Sequence, residues 1–233
     1  MPIRLLFFFP LLFTVSLRAQ TFRDGSRHMS SNIVAGIMMP DFSDLDNHLQ
    51  GIYQRPFFSE TQYAAGFLGR GTVLVSSRAF DGHTSMYFQL PEKIQVHDSL
   101  SFQLSGWQFS YGIFGRDFLW FTEYVDLVIS PGVVLGNFHI KRTDDDRRSR
   151  YANPYIAAKG AAELRFCFGK FSFGGRGEYL YDITDPKWKR KHGLMPVLPG
   201  SYYRGPQLMG FLGWRFSRDE RKTDSPAASP PAK

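Results

Sequence analysis

The chain has a single cysteine, Cys167, so no disulfide can form within it and no disulfide scaffold supports the fold. Past the N-terminus no apolar run reaches the ~18 residues a spanning helix needs. Mean hydropathy is slightly negative, at −0.26. Together these exclude a helical membrane protein. No HxxxH or CxxC spacing occurs, so neither a metal nor a cofactor is expected. The histidines, His28, His48, His83, His97, His139 and His192, are scattered and read as surface residues in loops, at strand ends or in the N-terminal segment. GxSxG and HxSN are absent too. The acidic triplet in "RTDDDRRSR" (142–150) lacks the spaced oxygens and turn glycine of a calcium loop and reads as a solvated, internally neutralised segment.

Aromatic residues, in contrast, are abundant: 16% of the chain, with 23 Phe and 11 Tyr. The opening "MPIRLLFFFPLLFTVSLRAQ" has the order of a secretory signal, with Arg4 in the basic region, an apolar stretch from Leu5 to Leu17, and Ala19 before the cut. It predicts a signal peptide over 1–19, followed by a short segment over 20–29. Removing Arg4 and Arg18 lowers the formal charge from +7 to +5. Nucleic acid is not the expected partner of an exported chain. The tail, 217–233, is charged and rich in Pro, Ser and Ala, which predicts disorder.

Between these ends the pattern has period two. In "ELRFCFGKFSFGGRGEYLYD" (163–182), Ser172, Arg176, Glu178 and Asp182 share one face, while Phe171, Phe173, Tyr179 and Tyr181 share the other. Lys159, Glu163, Arg165 and Cys167 likewise oppose Ile156, Leu164, Phe166 and Phe168, across a two-residue turn at Gly169–Lys170. Eight strands are predicted, near 30–40, 62–70, 72–80, 100–114, 121–141, 155–168, 171–182 and 205–216. A bulge is expected near Gly106, where the alternation in the fourth strand changes phase, and interruptions at Pro131–Gly132 and Gly136. Long connections (41–60, 81–99, 142–154, 184–204) alternate with short ones (69–72, 115–119, 169–170), as in an up-and-down sheet decorated at one end. The first long connection holds Phe42, Leu45, Leu49 and Ile52 at helical spacing, with Asp41 to cap a short helix and Gly51 to end it.

Alternation alone does not say which face is wet. The export signal, the aromatics crowding the apolar face near strand ends, and strands long enough to cross a bilayer all favour aromatics toward lipid and charges toward a lumen. The fold expected is an all-β, eight-stranded antiparallel transmembrane barrel over 30–216, with a short helix in its first long loop. An interior of that size is filled by side chains. Arg70, Arg78, Asp126, Glu163, Arg165, Arg176, Glu178 and Arg215 are expected to form an ion-pair network that plugs it. The basic run "KWKRKH" offers Lys187, Trp188, Lys189, Arg190 and Lys191 to lipopolysaccharide phosphates, with Trp188 at the lipid interface.

The motifs "MPDFSDLDNHL", "YAAGFLGRG", "ISPGVVLGNFHI" and "GFLGWRF" resemble those of the uncharacterised small outer-membrane β-barrel domain proteins of Gram-negative bacteria, over roughly residues 30–216. The resemblance implies an outer-membrane location. It also implies a final strand whose Trp214 and Phe216 are similar to the signal read by the barrel-assembly machinery. It carries no catalytic residues. A structural or surface-interaction role through the long loops is therefore expected. The alternatives are a rim enzyme acting on lipid or peptide (His83 with Asp81 or Asp98, or His139 with Asp144), a narrow pore, and a soluble lipocalin-like binder.

Overall fold

The computed structural model describes residues 29–75, 78–114, 119–121, 124–145, 147–184, 188–192 and 198–216. The expected signal peptide, nearly all of the segment 20–29, the tail 217–233 and Lys187 lie outside the described residues. So do the side chains of Arg78, Arg190, Lys191 and Phe216.

Ten strands form one antiparallel sheet: β1 (Met29–Met38), β2 (Gln62–Val75), β3 (Arg78–His97), β4 (Leu100–Phe114), β5 (Leu119–Phe121), β6 (Val125–Asp144), β7 (Arg147–Phe168), β8 (Phe171–Asp182), β9 (Lys189–His192) and β10 (Arg204–Phe216). Eight of them close a barrel in the order β1-β2-β3-β4-β6-β7-β8-β10, with β10 paired back onto β1 from Met29↔Phe216 to Met38↔Gln207. The fold is the eight-stranded up-and-down barrel the sequence pattern predicts. The two extra strands are short edges: β5 pairs with the start of β6, and β9 with Arg150–Ala152 of β7. No helix among the described residues is long and apolar enough to cross a membrane.

The outer wall carries an apolar belt. Ile33, Phe67, Ile129, Val133, Leu135, Leu164, Leu208 and Leu212 are all exposed on it. Rings border the belt at both ends. At one end Phe168 stacks on Phe173 at 5.8 Å and Phe171 meets Trp214 at 5.0 Å. At the other, Tyr63, Trp107, Tyr179 and Tyr181 are exposed. On β8 the two borders, Phe171 and Tyr181, are ten residues apart. At a rise of about 3.3 Å per residue and a tilt of 35–45°, that is roughly 25 Å along the barrel axis, the height of a lipid-facing band.

Above the belt the polarity reverses on the same strands. Low on β6, Ile129, Val133 and Leu135 face outward while Asp126 and Ser130 face in. Higher up, Asn137, His139 and Lys141 face outward while Phe138 and Ile140 are buried. β4 turns over in the same way, from Gln108 and Ser110 inside to Leu100, Phe102 and Leu104 inside. The reversal follows the solvent: lipid surrounds the lower half, water the upper half.

The helix α1 (Ser43–Tyr53) closes this upper end. Leu45 and Leu49 are fully buried, each worth roughly 1.5–3 kcal/mol of apolar transfer. Phe42 packs edge-on against Phe138 at 5.0 Å, and Phe57 against Phe102 at 5.1 Å. The N-cap is Phe42, with no side-chain cap, and not Asp41 as expected; the Asp41 carboxylate, one residue earlier, accepts from the Ser43 amide at 3.2 Å. Gly51 does not end the helix; Gln54 does, in the left-handed conformation with φ 58°. The Asp46 carboxylate accepts the amides of Phe57 and Phe58 at 2.8 and 2.9 Å, pinning the chain as it returns to β2.

Several boundaries differ from the sequence-based expectation. The segments 81–99 and 142–154 are not loops. β3 runs to His97 and β4 starts at Leu100, while β6 runs to Asp144 and β7 starts at Arg147, with Asp145 at φ 48° directly after β6. Some of their polar residues, such as Lys93, Gln95, Arg148 and Arg150, are exposed on the outer face of strands that continue past the belt, while others, such as His83, Gln89 and Asn153, are buried inside. The first hairpin turns beyond Val75, not at 69–72, because Gly69 and Gly71 lie inside the ladder opposite Thr84 and Gly82. β4 keeps one phase throughout. The bulge belongs to its partner β3, where Leu90 and Pro91 fall opposite Ser105 and the proline's missing donor is tolerated. β6 runs unbroken through Pro131 and Gly136. Among the described residues, the connection that holds α1, after β1, and the one that holds β9, after β8, remain long.

Because the helix packs on the upper core and not on the belt, the two zones separate experimentally. Leu45→Ala should cost about 2–5 kcal/mol in the cap. Proteolysis within 39–61 should accelerate, while the mobility difference between boiled and unboiled barrel on a gel stays unchanged.

Candidate functional site

Two regions concentrate polar chemistry: the lumen and the outer face of the cap-end sheet. In the lumen, residues two apart on a strand share a face, and the β7–β8 register sets Glu163 opposite Arg176. The result is a chain of alternating charge. Lys159 Nζ lies 3.2 Å from Glu178 Oε1, which accepts from Arg176 Nε at 2.6 Å. Arg176 reaches Glu163 Oε2 at 2.8 Å, and Glu163 Oε1 accepts from Arg165 at 2.7 Å. All five side chains are essentially inaccessible to solvent. Arg165 also donates to Ser30 across the barrel, and Lys159 to Ser110. The Arg165 guanidinium stands 4.9 Å from the centre of the Phe211 ring.

A second pair lies toward the turn end of the barrel, where Arg70 on β2 meets Asp126 on β6 at 3.3 Å. Cys167 Sγ approaches the same carboxylate at 3.9 Å, and half-buried Arg215 lies beside both. Of the eight residues expected in the lumen, Arg70, Asp126, Glu163, Arg165, Arg176 and Glu178 are thus buried and ion-paired. Arg215 is at the margin, and the Arg78 side chain is outside the described set.

The sequence reading set Lys159 on the charged face but not in the network, and it missed His83. Lys159 shares the face of Glu163 and Arg165 at the spacing of two and was legible on that ground. His83 was placed on the surface, yet it is buried at 2% exposure. Its Nε2 accepts from Arg176, since a guanidinium only donates, and its Nδ1 is 3.3 Å from Ser130 Oγ. The ring fits because Gly112 faces it across the strand pair. A Cβ there would come within 2.1 Å of the imidazole. No sequence pattern announces such a socket.

Above the charges lies a layer of amides. Gln108 and Gln207 exchange bonds of 2.8 and 3.0 Å, and Gln89 donates to Gln62 at 2.6 Å. Tyr155 donates to Gln108 at 3.1 Å, its ring filling the space left by Gly136. Over this layer Phe138, Tyr155 and Tyr203 stack at 4.8–5.4 Å beneath α1.

Two of the three expected rim constellations do not assemble, and the third, His83 with Asp81, involves a side chain outside the described residues. His83 points into the lumen network, and fifteen residues of strand, roughly 50 Å, separate it from Asp98. Asp144 pairs with Arg142 at 2.5 Å and has the opposite parity to His139 on β6. The side chain of Asp81 is outside the described set. No group of three metal-ligating side chains occurs among the described residues.

The basic run 187–191 is also not a free loop. Trp188 is no lipid-interface residue: it is buried at 7% exposure and donates to Ser201 Oγ at 3.1 Å. A large ring beside an available apolar core is buried there in preference to the interface. Lys189 opens strand β9 and stays exposed beside Ala152. At the closing seam, Trp214 is exposed at 52%, and Phe216 pairs by backbone with Met29.

A closed ladder with an apolar exterior and charged interior meets the requirement for spanning lipid, that every backbone polar group be satisfied within the protein. The chain is an outer-membrane β-barrel by architecture. No protein-family model and no curated protein sequence matches it. Among solved structures, that of Ail, the attachment invasion locus protein of Yersinia pestis, is similar at 12% identity, covering 82% of this chain and 100% of that one with a TM-score of 0.49. A second structure of Ail, in complex with the heparin analogue sucrose octasulfate, is similar at 11% identity over 83% and 100%, with a TM-score of 0.48.

Glu163 holds two arginines at once. Glu163→Gln should leave both guanidiniums undercompensated and destabilise the barrel by about 3–5 kcal/mol, read as a lower urea midpoint in lipid vesicles. An unchanged midpoint would show that water, not Glu163, satisfies the two arginines.

Proposed function

We propose that the protein is a non-enzymatic outer-membrane barrel that presents a rigid extracellular β-sheet as an interaction surface, with a lumen closed to solutes. The observation that carries this reading is the reversal of polarity along β4 and β6, which marks where lipid stops and the cap end begins. The turn end, with both strand termini, is then periplasmic, and the cap end, with α1, is extracellular. Three successive layers support a closed lumen: the alternating ion pairs, the glutamines, and the aromatic core under α1. A non-enzymatic role fits the histidines, since His83 is engaged inside the network and His139 and Asp144 have opposite parity. Trp214 and Phe216 would end the strand received by the barrel-assembly machinery. Lipopolysaccharide is the proposed surrounding partner, reached through Lys189 and its neighbours and not through Trp188.

Topology and closure are both measurable. In a Cys167→Ser background, Ser99→Cys at the tip of the β3–β4 turn should react with a membrane-impermeant maleimide on intact cells. Lys170→Cys at the β7–β8 turn should react only after permeabilisation. Purified protein in planar bilayers should show no discrete conductance steps. Labelling of Lys170→Cys on intact cells would invert the orientation, and regular steps would overturn the closed lumen.

A further inference from the structure

Cross-strand pairing sets the outer face of the extracellular sheet in rows. One row runs Lys93–Gln103–Lys141–Arg150 over β3, β4, β6 and β7. The row toward the membrane runs Ser105–His139–Ala152–Lys189, and the row away from it Gln95–Ser101–Thr143–Arg148. No Asp or Glu occurs in any of the three. Two carboxylates on the same strands have the opposite, inward parity and are engaged: Glu92 accepts from Ser59 and Gln62, and Asp144 pairs with Arg142. Lys141 stands directly opposite Arg150, a like-charge juxtaposition that is unfavourable in an empty protein and relieved by an anion.

Position narrows the choice of anion. Lys141 shares the parity of lipid-facing Leu135, and Arg150 that of lipid-facing Ile156, each six residues away along the same strand. The basic rows therefore face sideways, toward neighbours in the same leaflet, roughly 15 Å above the last lipid-facing side chains. The molecule that surrounds an outer-membrane barrel at that height is lipopolysaccharide, and its anionic groups there are phosphates on the acylated and inner-core sugars.

Resting on the orientation proposed above, we infer that Lys93, Lys141, Arg148, Arg150 and Lys189 form a lateral binding face for lipopolysaccharide phosphates. Lys and Arg bind phosphate through charge-assisted hydrogen bonds, Arg bidentately. The residues project from paired strands and not from a loop, so the site is held rigid before the lipid arrives. The face joins Lys189 of the basic run to a surface shared by β3, β6, β7 and β9.

The test uses the mature protein in detergent and measures binding of lipopolysaccharide micelles, intact or chemically dephosphorylated, at low and high salt. The comparison is a combined variant, Lys93→Gln, Lys141→Gln, Arg150→Gln and Lys189→Gln, whose exterior positions leave packing intact. Each basic residue near an anionic surface changes affinity by about fivefold, so the combined loss should reach at least about tenfold. Loss of phosphate should weaken the native protein equally, and the salt dependence should shrink in the variant. Unchanged affinity in a variant that keeps its heat-dependent gel mobility would overturn the inference while leaving the barrel reading intact. Equal binding to dephosphorylated micelles, or tighter binding to a soluble sulfated polysaccharide, would also overturn it. Loss of the mobility shift in the native protein, or solubility without detergent, would overturn the barrel reading itself.

Discussion

Every amide inside the hydrocarbon region must find its partner within the protein, because lipid supplies none. In this chain the constraint is met where β10 returns to β1, ten residue pairs from Met29↔Phe216 to Met38↔Gln207. Closure at eight strands then dictates the interior. A barrel this narrow has room for side chains but not for a column of solvent. Any charge turned inward must be neutralised by another, and the alternating run Lys159–Glu178–Arg176–Glu163–Arg165 does this with each carboxylate shared between two cations. The interior glycines follow from the same lack of space. Gly112 and Gly136 hold no structural turn; they leave room for the rings of His83 and Tyr155.

The second organising fact is that one strand passes through two solvents. On β6 the face bearing Leu135 looks into lipid, and a few residues on the same face bears Lys141 in water. Alternation of side chains is preserved across the boundary, so the apolar set must change sides. The upper segment then behaves as a small soluble domain, with Phe102, Phe138 and Tyr155 sealed by Leu45 and Leu49 of α1. Its stability comes from ordinary apolar burial, whereas the lower barrel depends on closure and paired charge. The two halves share strands but not a source of cohesion.

On the proposed reading of a closed lumen, the outer surface is the part of the molecule available to other molecules. Among the described residues, ion pairs and glutamines line the interior of the barrel, and rings pack in the cap. What remains is a sheet extending beyond the lipid-facing belt, with cations on its lateral face and a hairpin tip at 98–99. A sheet of that kind differs from mobile loops in one physical respect: its charges are fixed before a partner arrives, so little ordering entropy is lost on binding.

Much of this was written in the sequence. Period-two alternation with aromatics at strand ends gave eight antiparallel strands and the inside–outside assignment, because side-chain parity is a property of the extended backbone itself. The spacing of Glu163, Arg165, Arg176 and Glu178 placed four charges on one face, and Phe42, Leu45 and Leu49 marked a helix. What the sequence could not mark was where each strand leaves the lipid. Polar stretches such as 142–154 resemble loops when read alone, since a wet strand and a wet loop draw on the same residues. Only the register of neighbouring strands distinguishes them. Tertiary structure alone also decided that Trp188 turns into the core and that His83 enters the lumen, because both depend on residues elsewhere in the chain: the Ser201 hydroxyl that accepts from Trp188, and the room at Gly112 and the Arg176 donor for His83.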